Sequence, residues 1–258
     1  MKILVIGSGG REHALIWAFK RSRRAAKIFC ANGNAGISEI AKCVNIKPDE
    51  IEKLADFAQN EPIDLTFVGG ETALALGITD EFEKRGLKII GVSKKAARLE
   101  ASKAFAKDFM AYNNIPTAKY RVANSTEEAK QFLDEFAENV VVKADGLAAG
   151  KGVVVCENKA DAIKAIDELE NLVGTDAMSQ IVLEERLTGK EVSLLLFSDG
   201  VNFALMPPVR DHKRVGEGDT GANTGGMGTF SDDDLLSHEQ LDKITDEIIK
   251  PTLDGCRK

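Results

Sequence analysis

Short apolar runs separated by longer segments of helical periodicity dominate the chain as far as Val92: Ile3–Ile6, Lys27–Ala31, Leu65–Val68 and Lys88–Gly91 read as strands, with helices between them. Strand and helix in alternation predict a parallel α/β sheet. Beyond Val92 the pattern changes. A helix is expected over Ser102–Asn113, a break at Pro116, a strand over Lys119–Val122, a helix over Ser125–Phe136 and a strand over Asn139–Lys143. Gly152–Cys156, Gln180–Glu185, Glu191–Phe197 and Val201–Met206 are also strand-like. Ala160–Leu169 is amphipathic, with Ile163, Ile166 and Leu169 on one face. Strands around two helices suggest an α+β lid. From Asp232 a helical pattern, acidic at its head, carries Leu241, Ile244, Ile248 and Leu253 at the spacing of one buried face. The expected division is a first α/β domain over 1–102 and a second over 103–258, with the lid at about 120–190.

Composition narrows the class. At 258 residues the chain exceeds a typical single domain, and 43% hydrophobic content supports real cores. It has no apolar run of about eighteen residues, and Met1–Ile6 enters a glycine turn without the apolar span of a signal peptide, so a cytoplasmic protein is expected. Cys30, Cys43, Cys156 and Cys256 form no CxxC pair, which points to buried apolar residues or bystanders rather than a zinc site or a disulfide framework. With 34 basic and 41 acidic side chains the formal charge is −7, which disfavours a general nucleic-acid binder. Anionic ligands must be met by local sites.

Several segments offer such sites. Asp211 to Gly228 packs six glycines, both charge signs and almost no apolar content into eighteen residues. Glycines let backbone N–H groups approach an anion, Asp211 and Asp219 can hold an amine or a metal-bound water, and Lys213 and Arg214 a phosphate. The segment reads as a ligand cradle; a mobile surface loop is the plainer alternative. Gly7-Ser8-Gly9-Gly10 follows the first strand and opens a helix, where free N–H groups suit a phosphate. A nicotinamide fingerprint would need glycine where Glu12 stands and an acid where Ala31-Asn32-Gly33-Asn34 stands. A sugar phosphate fits better, unless the glycines serve turn geometry alone. Val68-Gly69-Gly70-Glu71-Thr72 repeats the arrangement at a later strand end, with Glu71 a helix cap or a ribose ligand.

Lys143 to Gly152 joins two strands through a glycine-containing turn with a lysine at each end. It lacks the order of a Walker A loop and reads either as a flap closing over a nucleoside triphosphate or as an ordinary hairpin. Glu184-Glu185-Arg186-Leu187 ends a strand. Free backbone groups beside an apolar side chain suit an adenine edge, and an acid suits ribose hydroxyls, although a Glu-Glu pair also suits a solvated strand end.

Gly7 to Ala14, Lys143 to Val153 and Asp211 to Gly228 together resemble the glycinamide ribonucleotide synthetase family of the ATP-grasp superfamily, from Met1 to about Phe230. The resemblance implies an open, Rossmann-like parallel sheet that binds substrate, followed by an α+β ATP-grasp domain. It also implies ATP-dependent joining of glycine to 5-phosphoribosylamine through a glycyl phosphate, in purine biosynthesis. Under it, Lys103, Lys143 and the turn with Gly146, Gly150, Lys151 and Gly152 contact ATP phosphates, while Glu184, Glu185, Leu187 and Glu191 hold adenine and ribose. Gly9 and Gly10 lie near the phosphoribosylamine. Asp211, His212, Lys213, Asn223, Thr224, Gly225, Gly226 and Met227 line the glycine and acyl-phosphate site, with Lys143, Asp211 and Lys213 in catalytic roles.

Two departures stand out. Val209 and Arg210 occupy positions where the family places a small residue and glutamine. The family also continues into a segment of the type E-x-N-x-R-F-G-D-P-E, which binds magnesium, and a C-terminal domain; neither is in this chain. Ligands for Mg2+ (or Mn2+) are therefore expected in such a continuation and none is assigned here. The chain alone is expected to be weak or inactive as a ligase, with a C-terminal half or second chain as its partner. A non-catalytic ATP-binding module and another ATP-grasp ligase or carboxylase are the competing readings.

Overall fold

The computed structural model describes residues 1–136, 139–146, 152–173, 180–218 and 220–257, with the side chains of 170–173, 222 and 223 left out. It divides into two compact units, Met1–Ala101 and Ser102–Lys258. Among the described residues no helix is long and apolar enough to cross a membrane.

The first unit runs β1 (Lys2–Gly7), α1 (Gly10–Lys20), β2 (Lys27–Asn32), α2 (Ala35–Ser38), β3 (Lys42–Val44), α3 (Ile51–Asn60), β4 (Leu65–Val68), α4 (Glu71–Leu76), α5 (Ile78–Lys84), β5 (Ile89–Ile90) and α6 (Lys94–Ala101). Its five strands are all parallel, in the order β3-β2-β1-β4-β5. Alternate residues of β1 explain why its run is apolar throughout. Leu4 and Ile6 enter one core with Phe29, Leu54, Ile78 and Phe82, while Ile3 and Val5 enter another with Ile16, Ile28 and Ile37. Both faces are covered, as parallel sheets require, and each fully buried Leu, Ile or Phe contributes roughly 1.5–3 kcal/mol.

β3 is a strand that periodicity does not reveal: three residues at a sheet edge, with Lys42 exposed, leave no pattern to read. The last strand of this sheet is also shorter than Lys88–Gly91, pairing only at Ile89 and Ile90.

The second unit runs α7 (Lys103–Tyr112), β6 (Tyr120–Ala123), α8 (Thr126–Phe132), β7 (Val140–Ala144), β8 (Val153–Cys156), α9 (Lys159–Val173) and β9 (Ile181–Glu185). It continues through β10 (Leu196–Ser198), β11 (Phe203–Leu205), β12 (Val209–Asp211), β13 (Arg214–Gly216), β14 (Thr220–Asn223) and β15 (Thr229–Ser231) to α10 (His238–Ile244) and α11 (Lys250–Arg257). An antiparallel sheet, β6-β9-β7-β8, carries Val140, Val142, Ala144, Ile181 and Leu183 on one face, packed with Ala129 of α8 and Ile166 and Leu169 of α9. α8 starts where Ser125 Oγ accepts the Glu128 N–H at 3.1 Å, and a 3-10 turn over Leu133–Glu135 replaces the rest of the predicted helix.

The run Glu191–Phe197 is not one strand. Ser193 pairs with Val209 through two bonds of 2.8 and 2.9 Å, and the chain then changes partner, so that only Leu196–Ser198 pairs with β11. The cradle segment also has more order than a loop: β12 pairs with β15 and β13 with β14, all antiparallel.

The C-terminal helix buries Ile249 rather than Ile248, which is exposed. A π turn over Thr245–Ile249, closed by the Lys250 N–H on the Thr245 carbonyl, inserts one residue into the helical phase and shifts the inward position by one. The apolar face expected here is partly covered. α11 lies so close to α7 that a Cβ on Gly255 would meet Phe109 Cζ at 2.6 Å.

Candidate active site

In the first unit the strand order reverses between β1 and β4. Ligands of open α/β sheets gather outside the carboxyl ends of the strands at such a point, and both strands end there in glycine turns, Gly7–Gly10 and Gly69-Gly70. Glu12 fills the space between them. It is only 5% exposed, and its Oε2 accepts the Gly9 N–H at 2.6 Å. A Cβ on Gly7 would meet Glu12 Cδ at 2.7 Å, and one on Gly69 would lie 1.8 Å from Glu12 Oε1. The glycines thus make room for a carboxylate, which is why position 12 does not follow the dinucleotide pattern. The Gly9 amide, read from sequence as open, is taken. Among the described residues the N–H groups of Gly10, Arg11 and Glu12 have no partner, and these can receive an anion at the positive end of α1.

The turn is braced from both sides. Asn34 donates from Nδ2 to the Ser8 carbonyl at 2.8 Å and caps α2 by accepting the Ile37 N–H at 2.9 Å, so an amide performs a bracing role where a dinucleotide-binding fold has an acid. Arg11 donates to the Gly69 carbonyl. Cys30 Sγ donates to the Gly7 carbonyl at 3.3 Å, and burial, with Cys43 beside it, pushes its thiol up to about 12. Glu71 opens α4 and is exposed.

In the second unit the chemistry lies on the sheet face opposite the core. Val141, Lys143, Val155, Val182 and Glu184 share that face by register. Lys143 Nζ stands 2.7 Å from Glu184 Oε1, and Lys107 Nζ, from α7, stands 2.9 Å from Glu184 Oε2. Both lysines therefore meet on one carboxylate, which is engaged and not free for a ribose hydroxyl. Lys103 opens α7 and donates to the Gly146 carbonyl at 2.8 Å. It is held there because the buried Asp145, at the end of β7, accepts the Ala104 N–H at 3.1 Å and the Ser102 hydroxyl at 3.0 Å. Gly152 closes the hairpin by accepting the Ala144 N–H at 2.8 Å, while Gly150 and Lys151 lie outside the described residues.

A cleft of about 550 Å³ adjoins this face, lined by Val141 and Val155 on one side, Arg186 to Glu191 on another and Arg210 to Arg214 on a third. Leu187 is 70% exposed beside it, and among the described residues neither its N–H nor its carbonyl has a partner. An apolar wall with an open amide and carbonyl can receive a flat heteroaromatic ring and read its edge. Glu185 does not join the cleft: its Oε1 accepts the Lys119 N–H at 2.7 Å. Glu191 does, in an ion pair with Lys213, and its carbonyl accepts Arg210 Nε at 3.2 Å.

The cradle closes on itself around Asp211. Met227 N–H donates to the His212 carbonyl at 2.7 Å, and His212 N–H to the Gly228 carbonyl at 3.0 Å. Thr224 Oγ1 donates to the Lys213 carbonyl at 2.9 Å and accepts the Gly226 N–H at 3.0 Å. Gly226 has a φ of 121°, and a Cβ there would lie 2.9 Å from Asp211 Oδ1. That oxygen is buried and has no donor among the described residues, so it can accept one from a ligand. The His212 ring stacks on Phe230 with centroids 5.9 Å apart. Gly225 and Met227 are exposed, and of Asn223 only the backbone, in β14, is described.

Among the described residues no three His, Cys, Asp or Glu side chains gather to hold a metal ion. The divalent cation implied by the resemblance has no such donor set in them. Lys107 is the residue that sequence reading missed. Its signal was position: it stands four residues after Lys103, on the same face of α7.

The chain matches known proteins along its whole length. Residues 1–100 match the phosphoribosylglycinamide synthetase N domain and residues 101–258 the phosphoribosylglycinamide synthetase ATP-grasp (A) domain. The chain is 48% identical over 258 residues to a phosphoribosylamine–glycine ligase of Pseudomonas aeruginosa, covering 99% of this chain and 60% of that protein. It is 46% identical over 259 residues to one of Caldanaerobacter subterraneus, covering 100% and 62%. A crystal structure of the Thermotoga maritima phosphoribosylamine–glycine ligase superposes with a TM-score of 0.83 at 32% identity, covering 99% of this chain and 61% of that one. The biotin carboxylase domain of Hydrogenobacter thermophilus 2-oxoglutarate carboxylase, at 18% identity and a TM-score of 0.76, shares the fold. The chain thus spans about three fifths of the length of these ligases. With both domain matches together covering its whole length, the chain belongs to the phosphoribosylglycinamide synthetase family.

Proposed function

We propose that the chain holds ATP, glycine and 5-phosphoribosylamine for the ATP-dependent formation of glycinamide ribonucleotide, ADP and phosphate, as a cytoplasmic enzyme of purine biosynthesis. The observation that carries this reading is the sheet face on which Lys143 stands beside an apolar wall and the open Leu187 backbone, next to the orphaned Asp211 oxygen. In this reading adenine lies against Val141 and Val155, its edge on the Leu187 N–H and carbonyl, and Glu191 takes the ribose. Lys103 and Lys143 hold the phosphates, and the turn between β7 and β8 closes over them.

A glycine carboxylate oxygen attacks the γ-phosphorus, the bond to the β-phosphate oxygen breaks, and ADP leaves. The amine of phosphoribosylamine then attacks the acyl carbon and phosphate departs, the amine losing a proton. The residues supply positioning and charge: cationic lysines face the phosphoryl oxygens, and Asp211 Oδ1 accepts from the glycine ammonium. The N-terminus of α1, through the open N–H groups of Gly10, Arg11 and Glu12, receives the sugar phosphate. A divalent cation, when bound, would screen the triphosphate charge.

The test supplies the chain with ATP, magnesium, glycine and fresh phosphoribosylamine, together with the C-terminal remainder of the Pseudomonas aeruginosa ligase, and measures glycinamide ribonucleotide. Product that requires glycine supports the proposal. ATP binding with no product from any such mixture refutes it in favour of a non-catalytic ATP-binding module, and product with bicarbonate in place of glycine refutes it in favour of a carboxylase.

A further inference from the structure

Lys107 is the one cation of the Glu184 cluster buried away from the cleft, and the proposed reaction gives it no task. Its side chain is 8% exposed, with Nζ 2.9 Å from Glu184 Oε2, 2.8 Å from Thr117 Oγ1 and 5.7 Å from the Tyr120 ring centroid. Glu184, 9% exposed, thus has a lysine on each oxygen: Oε2 faces Lys107 and Oε1 faces Lys143. Lys143 is 25% exposed and is the outward member.

Two ammonium groups on one carboxylate leave one net positive charge, and burial decides where it acts. Lys107 is enclosed, so it neutralises Glu184 from behind, and the surplus charge belongs to Lys143. Without Lys107 the same carboxylate would cancel Lys143 across 2.7 Å, and the outward lysine would meet an anion as half of a neutral pair. The arrangement also fixes the position of Lys143, because the carboxylate that orients it cannot move without breaking the Lys107 bond.

We propose that Lys107 is a positioning residue that, by neutralising Glu184, leaves the charge of Lys143 uncancelled toward the phosphates of a bound nucleotide. This deepens the proposed ATP site and rests on that reading. Its signature is selectivity: loss of Lys107 weakens a ligand in proportion to its phosphate charge and spares the nucleoside.

The test measures binding of ATP, ADP and adenosine to the 258-residue chain by calorimetry, in the wild type and in Lys107→Met, Lys107→Gln and Lys107→Met/Glu184→Gln. Gln keeps a donor for Thr117 and Glu184 but no charge, so it serves if the Met variant does not fold; circular dichroism checks each. The expected result is an ATP Kd raised about tenfold or more by either single change, with ADP affected less and adenosine within about twofold. The double variant, which has the wild-type net charge, recovers most of the lost ATP affinity. Equal losses for ATP and adenosine, or a double variant worse than the single, would overturn the assignment and make Lys107 a packing residue. A wild-type chain that binds none of the three ligands would refute the nucleotide site itself, and this inference with it.

Discussion

Replacing Gly69 by alanine puts a methyl group 1.8 Å from Glu12 Oε1 and 2.5 Å from its Cδ. The backbone is not obliged to move, because the obstructing atoms are the end of a side chain. That side chain must leave, however, and leaving breaks the 2.6 Å bond from the Gly9 N–H. A hydrogen bond to a charged partner is worth about 1.5–3 kcal/mol, and Gly9 would be left to find water in a closed turn. A loss of about 2 kcal/mol, at roughly 4–8 °C per kcal/mol for a domain of this size, lowers the midpoint of the first unit by about 8–16 °C. Trp17, the chain's one tryptophan, sits in α1 and reports that unit by fluorescence during thermal unfolding. In a Glu12→Ala background the methyl meets no carboxylate, and adding Gly69→Ala should cost less than about 0.5 kcal/mol. A midpoint within about 2 °C of the wild type for Gly69→Ala alone would refute the account of these glycines as space for Glu12.

Three further outcomes follow from the same geometry. Lys143→Ala should weaken ATP binding while leaving thermal stability nearly unchanged, since Glu184 keeps its bond to Lys107; calorimetry and a melt separate the two. Val142→Ala, at a position with no exposure in the second core, should cost about 2 kcal/mol in denaturant unfolding and leave Trp17 fluorescence unaffected until the first unit melts. Cys30 has a native pKa pushed up to about 12 by burial, so the unfolded chain ionises first. Stability should be insensitive to this group at neutral pH and fall between about 9 and about 12 as pH rises, less steeply in Cys30→Ala, and Cys30 should resist alkylation at pH near 8 until the chain unfolds.

Much of the fold is legible in the sequence where burial is two-sided. Ile3–Ile6 declares itself because both faces of its sheet are covered, so every residue is apolar, and Leu65–Val68 does so with Thr66 as its one polar member. Lys42–Val44 stays silent because an edge strand of three residues needs no such run. Glu191–Phe197 misleads because its run from Leu194 to Phe197 is apolar while the hydrogen-bonding partner changes along the segment. At the site, Lys143 and Glu184 are visible as residue types, but their pairing depends on register between β7 and β9, which no local pattern records. Glu12 could be read as a departure from a dinucleotide motif, yet only the packing explains it: the carboxylate needs glycine at 7 and at 69, two positions far apart in the chain.

An α-helix can take in a surplus residue without losing its packing if the surplus is confined to one wide turn, and Thr245–Ile249 is such a turn. Two residues beyond it stands Pro251, whose ring in a regular helix would collide with the carbonyl four residues back, at a cost of about 3 kcal/mol. The wide turn opens the spacing at that place. Removing one residue from the turn would leave Leu241, Ile244 and the former Ile249 on one face but would return the proline to a regular ladder. The dependence runs one way: the surplus residue is costly to lose while the proline stays, whereas the proline can be replaced without touching the turn.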